Sequence, residues 1–180
     1  DLIDREIVIL DKQKIAWCVS CQQHLPDRFL EGTCPYCQGS TYGNQCNNKK
    51  SCARLVESDK IINGRCAVCA GPVEFKEEPH LFFRLELFKN KLSGVAEAPT
   101  TVCISRDTKW GIPIASLPGK SVYSWVDSLL AKVSFTPDTY WKDPDTHRHF
   151  FLGRDGTPFY GALFPALLLA SNRGYSVSNW

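Results

Sequence analysis

Four cysteine pairs crowd one stretch of the chain: Cys18-Val-Ser-Cys21, Cys34-Pro-Tyr-Cys37, Cys46 with Cys52, and Cys66-Ala-Val-Cys69. Eight of the nine cysteines thus lie between Ile15 and Val73. Zinc takes four soft or borderline ligands in a tetrahedron, and a Cys-x-x-Cys turn offers two thiolates to one ion because its backbone amides fold around the first sulfur. Four pairs make two closed sites, which have no open position for water and are structural rather than catalytic. A disulfide framework is the alternative, but it belongs to secreted and usually shorter chains, and Cys-x-x-Cys pairs are poorly spaced for structural bridges. Loop-closure cost favours sequential pairing, Cys18 and Cys21 with Cys34 and Cys37, by only about 1 kcal/mol. Spacing alone leaves the pairing open. The ninth cysteine, Cys103, stands between Val102 and Ile104 and reads as a buried, inert thiol.

The other chemistry-bearing residues are sparser. Neither Gly-x-x-x-x-Gly-Lys-Ser/Thr nor Gly-x-Gly-x-x-Gly occurs, so neither common phosphate cradle is present. His24, His80, His147 and His149 follow no metal or triad spacing and read as surface or satisfied histidines. Trp125 and Asp127 at one strand end, with Asp155 at another, either face a common cleft or serve as a core aromatic, a helix cap and a turn aspartate.

The scaffold for these groups is a chain of 180 residues, enough for one good core and a small satellite. A net charge of +2 gives no strong electrostatic footprint for nucleic acid, and the densest basic cluster, Lys49-Lys50 with Arg54, reads as a solvated loop. The longest apolar run, Ala162 to Ala170, contains Pro165 and is too short to span a bilayer, so a soluble protein without a membrane partner is expected. Reduced cysteines favour the cytoplasm. With no methionine even at position 1, the sequence reads as an excerpt from a longer polypeptide.

Along the chain, Leu2 to Leu10 suggests a helix end passing into a strand, and Lys14 to Trp17 a short strand leading into the first cysteine pair. From Cys18 to Gly71 there are too few apolar residues to fold without metal. Pro79 to Leu92 reads as a strand followed by a short helix ended at Gly94, with a linker from Val95 to Thr101. Val102 to Ile104 reads as a buried strand and Ser105-Arg106-Asp107 as a polar turn. Two strand-to-helix units follow. Ser121 to Trp125 runs into a helix capped by Asp127, and Arg148 to Leu152 runs through the turn Gly153 to Gly156 into a helix started by Pro158. Such βα units belong to a parallel sheet with ligands beyond its strand ends.

The text Cys-x-x-Cys-x-x-x-Leu-Pro-Asp-Arg-Phe-x-x-Gly-Thr-Cys-Pro-x-Cys, from Cys18 to Cys37, resembles the connective-peptide insertion of methionyl-tRNA synthetases. The likeness continues at Tyr42-Gly43-x-Gln45-Cys46, His80 to Phe83, Ile104-Ser105-Arg106-Asp107-x-x-Trp110-Gly111, Pro118-Gly119-Lys120-x-x-Tyr123-x-Trp125-x-Asp127 and Gly153-Arg154-Asp155. The blocks follow family order over nearly the whole chain. The resemblance implies an α/β fold: part of a class I synthetase Rossmann-like parallel sheet with an inserted zinc-knuckle domain. Residues 1–14 are then the end of the first catalytic half, 15–94 the zinc-binding insertion that helps position the tRNA acceptor end, and 95–180 the second-half catalytic segment. It also implies nested metal sites, one zinc on Cys18, Cys21, Cys66 and Cys69 and one on Cys34, Cys37, Cys46 and Cys52. The inner site is expected to be the weaker, because Lys49-Lys50-Ser51 looks inserted before Cys52.

The family's adenylation signatures, His-x-Gly-His and Lys-Met-Ser-Lys-Ser, are missing, as expected of an excerpt lying between them. Without groups to hold the phosphates of ATP, the piece cannot activate an amino acid alone. In the family, Trp-x-Asp-Ala-Pro-x-Gly-Tyr and a later histidine shape the methionine pocket. Here Trp125 and Asp127 remain, Lys132 stands at the tyrosine, Asp155 matches the substrate-facing aspartate, Gly156 replaces an apolar residue and Tyr160 stands at the histidine. An ammonium buried in a thioether pocket would cost several kcal/mol or deprotonate, so Lys132 is expected to point to solvent or to pair with an acidic substrate group. Two functions are implied. One is a ligase part, using ATP, an amino acid and tRNA within a larger synthetase. Its variant is a repurposed domain that activates another amino acid, as in cupin-fused hydrazine-forming enzymes. The other is a non-catalytic zinc scaffold that binds tRNA or a protein partner.

Overall fold

Of two eleven-residue strands, β1 (Val8–Cys18) buries side chains at both ends, and a later one at Val73–Phe83 buries them at its C-terminal end only. In β1, Val8 and the group Ile15, Ala16 and Cys18 are buried, while Leu10, Asp11 and Lys12 are exposed. The computed structural model, which describes residues 1–48, 52–92 and 99–177, accordingly divides into two compact units. One is Asp11–His80 and the other joins Asp1–Leu10 to Leu81–Trp180. This division departs from the expected insertion at 15–94: residues 81–92 belong with the second unit, where Leu85 and Phe88 are buried. Gly94 and most of the expected linker, like Lys49 to Ser51, lie outside the described residues.

In the Asp11–His80 unit, β2 (Gln23–His24) pairs antiparallel with β1, aligning Trp17 with His24 and Cys18 with Gln23. The remaining strands are β3 (Leu30–Thr33), β4 (Ser40–Tyr42), β5 (Gln45–Cys46) and β6 (Ile62–Cys66). They form an antiparallel sheet in the order β5-β4-β3-β6. A β-carbon on Gly43, at φ +65°, would lie 1.7 Å from the Asp27 carbonyl oxygen, so the turn between β4 and β5 admits only glycine. The core of this unit is Ala16, Leu25, Leu30, Val56 and Ile61 together with Cys18, Cys34, Cys46 and Cys66. Cysteine supplies much of what aliphatic side chains supply elsewhere.

In the second unit the strand β7 (Val73–Phe83) ends beside β8 (Val102–Cys103), with Phe82 opposite Cys103. Leu85–Lys91 is a 3-10 helix. Next, β9 (Ser105–Arg106) pairs antiparallel with β10 (Ser121–Val122), followed by α1 (Ser124–Ser134) and α2 (Asp138–Lys142). A π-helical turn at Phe159–Leu163 runs into α3 (Phe164–Ala170). Leu129 of α1 packs in a core with Ala162, Leu163, Phe164 and Leu168, all essentially without exposure. Arg5 donates from Nη1 to the Ala170 carbonyl at 2.7 Å, satisfying one of the free carbonyls at the end of α3.

Several local expectations change. Leu2 to Glu6 forms turns rather than a helix end, and the short strand at Lys14 to Trp17 is continuous with β1. Ser105-Arg106 is a strand, not a turn. The strand before α1 is only Ser121–Val122, so Trp125 and Asp127 fall within the helix and the cap position is Tyr123, without a side-chain cap. Arg148 to Leu152 forms no strand, and Phe151 is 98% exposed. The two expected βα units are therefore not formed as such. Their short apolar runs suited more than one state: the first continues as helix from Ser124, and the second stays irregular. Cys103 is half-buried rather than buried, with its thiol 3.4 Å from the Ser105 carbonyl.

Candidate metal centres

Three of the four cysteine pairs sit in the same kind of turn. After Cys18, Cys34 and Cys66 the chain closes an i to i+4 backbone bond, from the amides of Gln22, Gln38 and Ala70. Those three residues have φ +52°, +59° and +56°. Ala53, after Cys52, has φ +52° and donates to the Asn48 carbonyl. Left-handed backbone costs an L-residue roughly 1–2 kcal/mol, and none of the four is glycine. The strain is thus concentrated where the turn must aim amides at sulfur. Cys21 N–H donates to Cys18 Sγ (3.2 Å), Asn48 N–H to Cys46 Sγ (3.3 Å) and Gly71 N–H to Cys69 Sγ (3.4 Å).

The β1–β2 hairpin turn and the connection from β6 to β7 bring Cys18 and Cys21 together with Cys66 and Cys69, while the β3–β4 turn and the chain after β5 bring Cys34 and Cys37 together with Cys46 and Cys52. Within each group all four sulfurs lie within 4.8 Å of one another. Cys18 and Cys69 sulfurs are 3.5 Å apart, Cys37 and Cys46 3.5 Å, and Cys34 and Cys52 4.0 Å. A disulfide requires about 2.05 Å. Tetrahedral zinc with bonds of roughly 2.3 Å sets its sulfurs about 3.8 Å apart, and both donor sets fit that spacing.

Electrostatics separate the thiols within each group. The Cys21 amide holds the Cys18 thiol down at about 7, and sulfur contacts, first with Cys69, push Cys21 up to about 12. The Gly39 amide lowers Cys37 to about 7, while burial raises Cys46 to about 12 and also raises Cys52. In each cluster one thiol is thus held below its ordinary value and at least one other above it, a split that a dication bound to the sulfurs would remove by favouring thiolates.

The candidate pocket residues are differently placed. Trp125 is half-buried and stacks on Phe159 at 4.2 Å and 8°. Asp127 is exposed in the first turn of α1. Lys132 folds back on its own helix, donating from Nζ to the Ser128 carbonyl at 2.9 Å, with its ammonium 5.1 Å from the Tyr160 ring centre. Tyr160 also contacts Phe150 at 5.2 Å. Asp155 is half-buried in a one-turn 3-10 helix, Arg154–Gly156, and Gly156 is buried under Leu152. The structure thus joins Lys132 to Tyr160, and Trp125 to the neighbour of Tyr160.

Sequence reasoning missed Phe159 as the partner of Trp125. It also missed a buried ion pair between Lys120 and Asp107, whose side chains are 6% and 12% exposed. Beside that pair the Arg106 guanidinium lies 3.5 Å over the Tyr123 ring, and Ser105 Oγ accepts the Leu81 amide at 2.9 Å. The signal was available in the blocks Ser105-Arg106-Asp107 and Lys120-x-x-Tyr123. Asn48, which gives both its backbone amide and its side-chain amide to sulfur, carried no signal.

A family model described as tRNA synthetases class I (M) matches residues 1–100 and 95–179. The methionine–tRNA ligase of Sulfolobus acidocaldarius is 33% identical over 93% of this chain and 35% of its own length. That of Korarchaeum cryptofilum is 33% identical over 89% and 34%. The chain thus spans about a third of the length of these curated relatives. In fold it is similar to a Mycobacterium tuberculosis methionyl-tRNA synthetase bound by methionyl-adenylate, with a TM-score of 0.55 and 20% identity over 99% of this chain and 35% of that one.

Proposed function

Because the chain belongs to the class I tRNA synthetase family of the methionyl type, we propose that it forms the middle of an ATP-dependent ligase in which two zinc ions hold the inserted knuckle unit. The observation that carries this reading is the pair of four-cysteine clusters with tetrahedral spacing, in a chain that the family model matches from residue 1 to residue 179. Cys18, Cys21, Cys66 and Cys69 would hold one ion, and Cys34, Cys37, Cys46 and Cys52 the other. When bound, the metals neutralise thiolates and cross-link hairpins, and with four sulfurs each they leave no position for a reacting oxygen. Eight reduced cysteines suit a reducing compartment such as the cytoplasm. Among the described residues, no helix is long and apolar enough to cross a membrane.

In the intact ligase, the amino acid, ATP and tRNA are the substrates. The chain by itself lacks the His-x-Gly-His and Lys-Met-Ser-Lys-Ser groups that would hold triphosphate, so it contributes the amino-acid side of the site and the knuckle unit rather than complete chemistry. Trp125, Asp127, Asp155, Gly156 and Tyr160 are the residues at the substrate side.

A second reading has its own observation, the position of Lys132. Its ammonium lies against the Tyr160 ring, so a cation occupies the aromatic surface at two pocket positions. That environment disfavours an uncharged thioether side chain and favours a substrate bearing an acidic group. Pyrophosphate exchange by the full-length protein over a panel of amino acids tests both readings. Exchange stimulated by an acidic or polar amino acid supports the repurposed domain. A methionine-dependent rate far above all others overturns it and supports the ordinary ligase, and no exchange with any amino acid contradicts both.

A further inference from the structure

The two cysteine clusters differ in how well their sulfurs are protected. In the Cys34, Cys37, Cys46 and Cys52 group, two thiols are buried and two half-buried. Its sulfurs also receive several N–H donors: Cys46 from the Asn48 amide, Cys37 from Asn48 Nδ2 and the Gly39 amide, and Cys52 from the Arg54 amide. In the other group Cys69 is exposed, and so are its neighbours Ala67, Val68 and Ala70. The Cys69 sulfur accepts an N–H from Gly71 at 3.4 Å. Burial blocks the approach of an oxidant, and Cys69 is the one exposed thiol among the eight.

We propose that Cys69 is a peroxide-modification site, with Cys18 as its resolving partner, which makes the outer cluster the one that opens under oxidation. This rests on the metal reading above. A zinc-held Cys69 thiolate attacks the O–O bond of a hydroperoxide, forming a sulfenic acid, and the departing oxygen leaves as hydroxide. The Cys18 thiolate, 3.5 Å away, then displaces hydroxide from that sulfur. The balance is two thiolates, one hydrogen peroxide and two protons giving one disulfide and two waters, with the two sulfurs supplying the two electrons. The Cys18–Cys69 disulfide no longer supplies two of the four ligands, so that ion is released while the inner one stays.

The test begins with the untreated full-length protein and its zinc content. Two zinc ions per chain are expected, and fewer contradict the metal reading and this inference with it. Hydrogen peroxide is then added in steps, with zinc release followed by a chromophoric indicator and disulfides mapped by peptide mass spectrometry. The expected result is release of half the zinc together with a Cys18–Cys69 disulfide, before any modification of Cys34, Cys37, Cys46 or Cys52. Two zinc ions at the start followed by first modification of the inner thiols, or by equal loss from both sites, would overturn the proposal while leaving the metal reading intact. A Cys69→His variant keeps a zinc ligand and removes the exposed sulfur. Retained zinc with markedly slowed peroxide release supports the inference, and release at the unsubstituted rate contradicts it. If the variant binds only one zinc, the peptide map of the unsubstituted chain decides.

Discussion

The two units of this chain solve the same problem, a core, with different materials. In Asp11–His80, four of the nine buried core residues are cysteines, and the aliphatic remainder is Ala16, Leu25, Leu30, Val56 and Ile61. In the second unit the largest fully buried side chains are Phe83, Leu85, Leu129, Leu163, Phe164 and Leu168. The first is organised by turns that aim sulfur inward at the expense of four left-handed residues, the second by helices that bury hydrocarbon. On the proposed reading, metal binding is tied to folding in the first unit and not in the second.

The largest expected effect is that of a chelator. Structural zinc in small finger peptides contributes roughly 10 to 16 kcal/mol, more than the few aliphatic side chains of the knuckle unit can replace. Chelation should abolish order from Asp11 to His80, read as collapse of amide dispersion by NMR, and leave the helical circular dichroism of α1 and α3 in place. Loss of all helical signal in one step would erase the distinction between the units.

A smaller and opposite effect is expected from Lys120→Ala. It removes the cation paired with the part-buried Asp107 carboxylate, and breaking a fully buried pair costs about 3 to 5 kcal/mol, which sets the upper end of the effect. Denaturant unfolding of the second unit should shift by up to that much while the bound zinc stays unchanged. Loss of zinc in this variant would show that the two units are not independent.

Acid offers the mildest way to separate them. Lys142 and then Tyr175 hold the Asp138 carboxyl below its ordinary 3.8, and Thr146 and the Asp145 amide do the same for Asp143. A depressed carboxyl stabilises the fold above its unfolded value and loses that contribution as pH falls through the folded one. Helical signal in the second unit should therefore be flat from neutrality to about pH 4 and weaken only below it. Protons compete with zinc for thiolates, so metal should leave the knuckle unit at a higher pH than that. Simultaneous loss would count against separate causes.

What was legible in the sequence follows the same divide. The cysteine spacing announced two four-sulfur clusters because ligand chemistry is local, and Pro158 announced a helical start because its ring fixes φ, though the first turn is π-helical. The grouping of the pairs followed from resemblance, not from loop length. The left-handed turns were invisible, since Gln22, Gln38, Ala53 and Ala70 are not residues that prefer them. Phe150-Phe151-Leu152 read as a strand from its apolar run, yet no strand forms there and Phe151 points to solvent. Trp125 has strand-like propensity, yet it lies in the first turn of α1, where it stacks on Phe159. Of the side chains expected in the second core, Leu129 and Leu167 are buried, whereas Phe82 and Phe150 are only half so.

Anomalous scattering at the zinc edge tests the central claim most directly, that cysteines build one unit around two metals with nested ligand sets. Two peaks are predicted, one within bonding distance of Cys18, Cys21, Cys66 and Cys69 and the other of Cys34, Cys37, Cys46 and Cys52. A single peak, or one shared by Cys21 and Cys34, would contradict it.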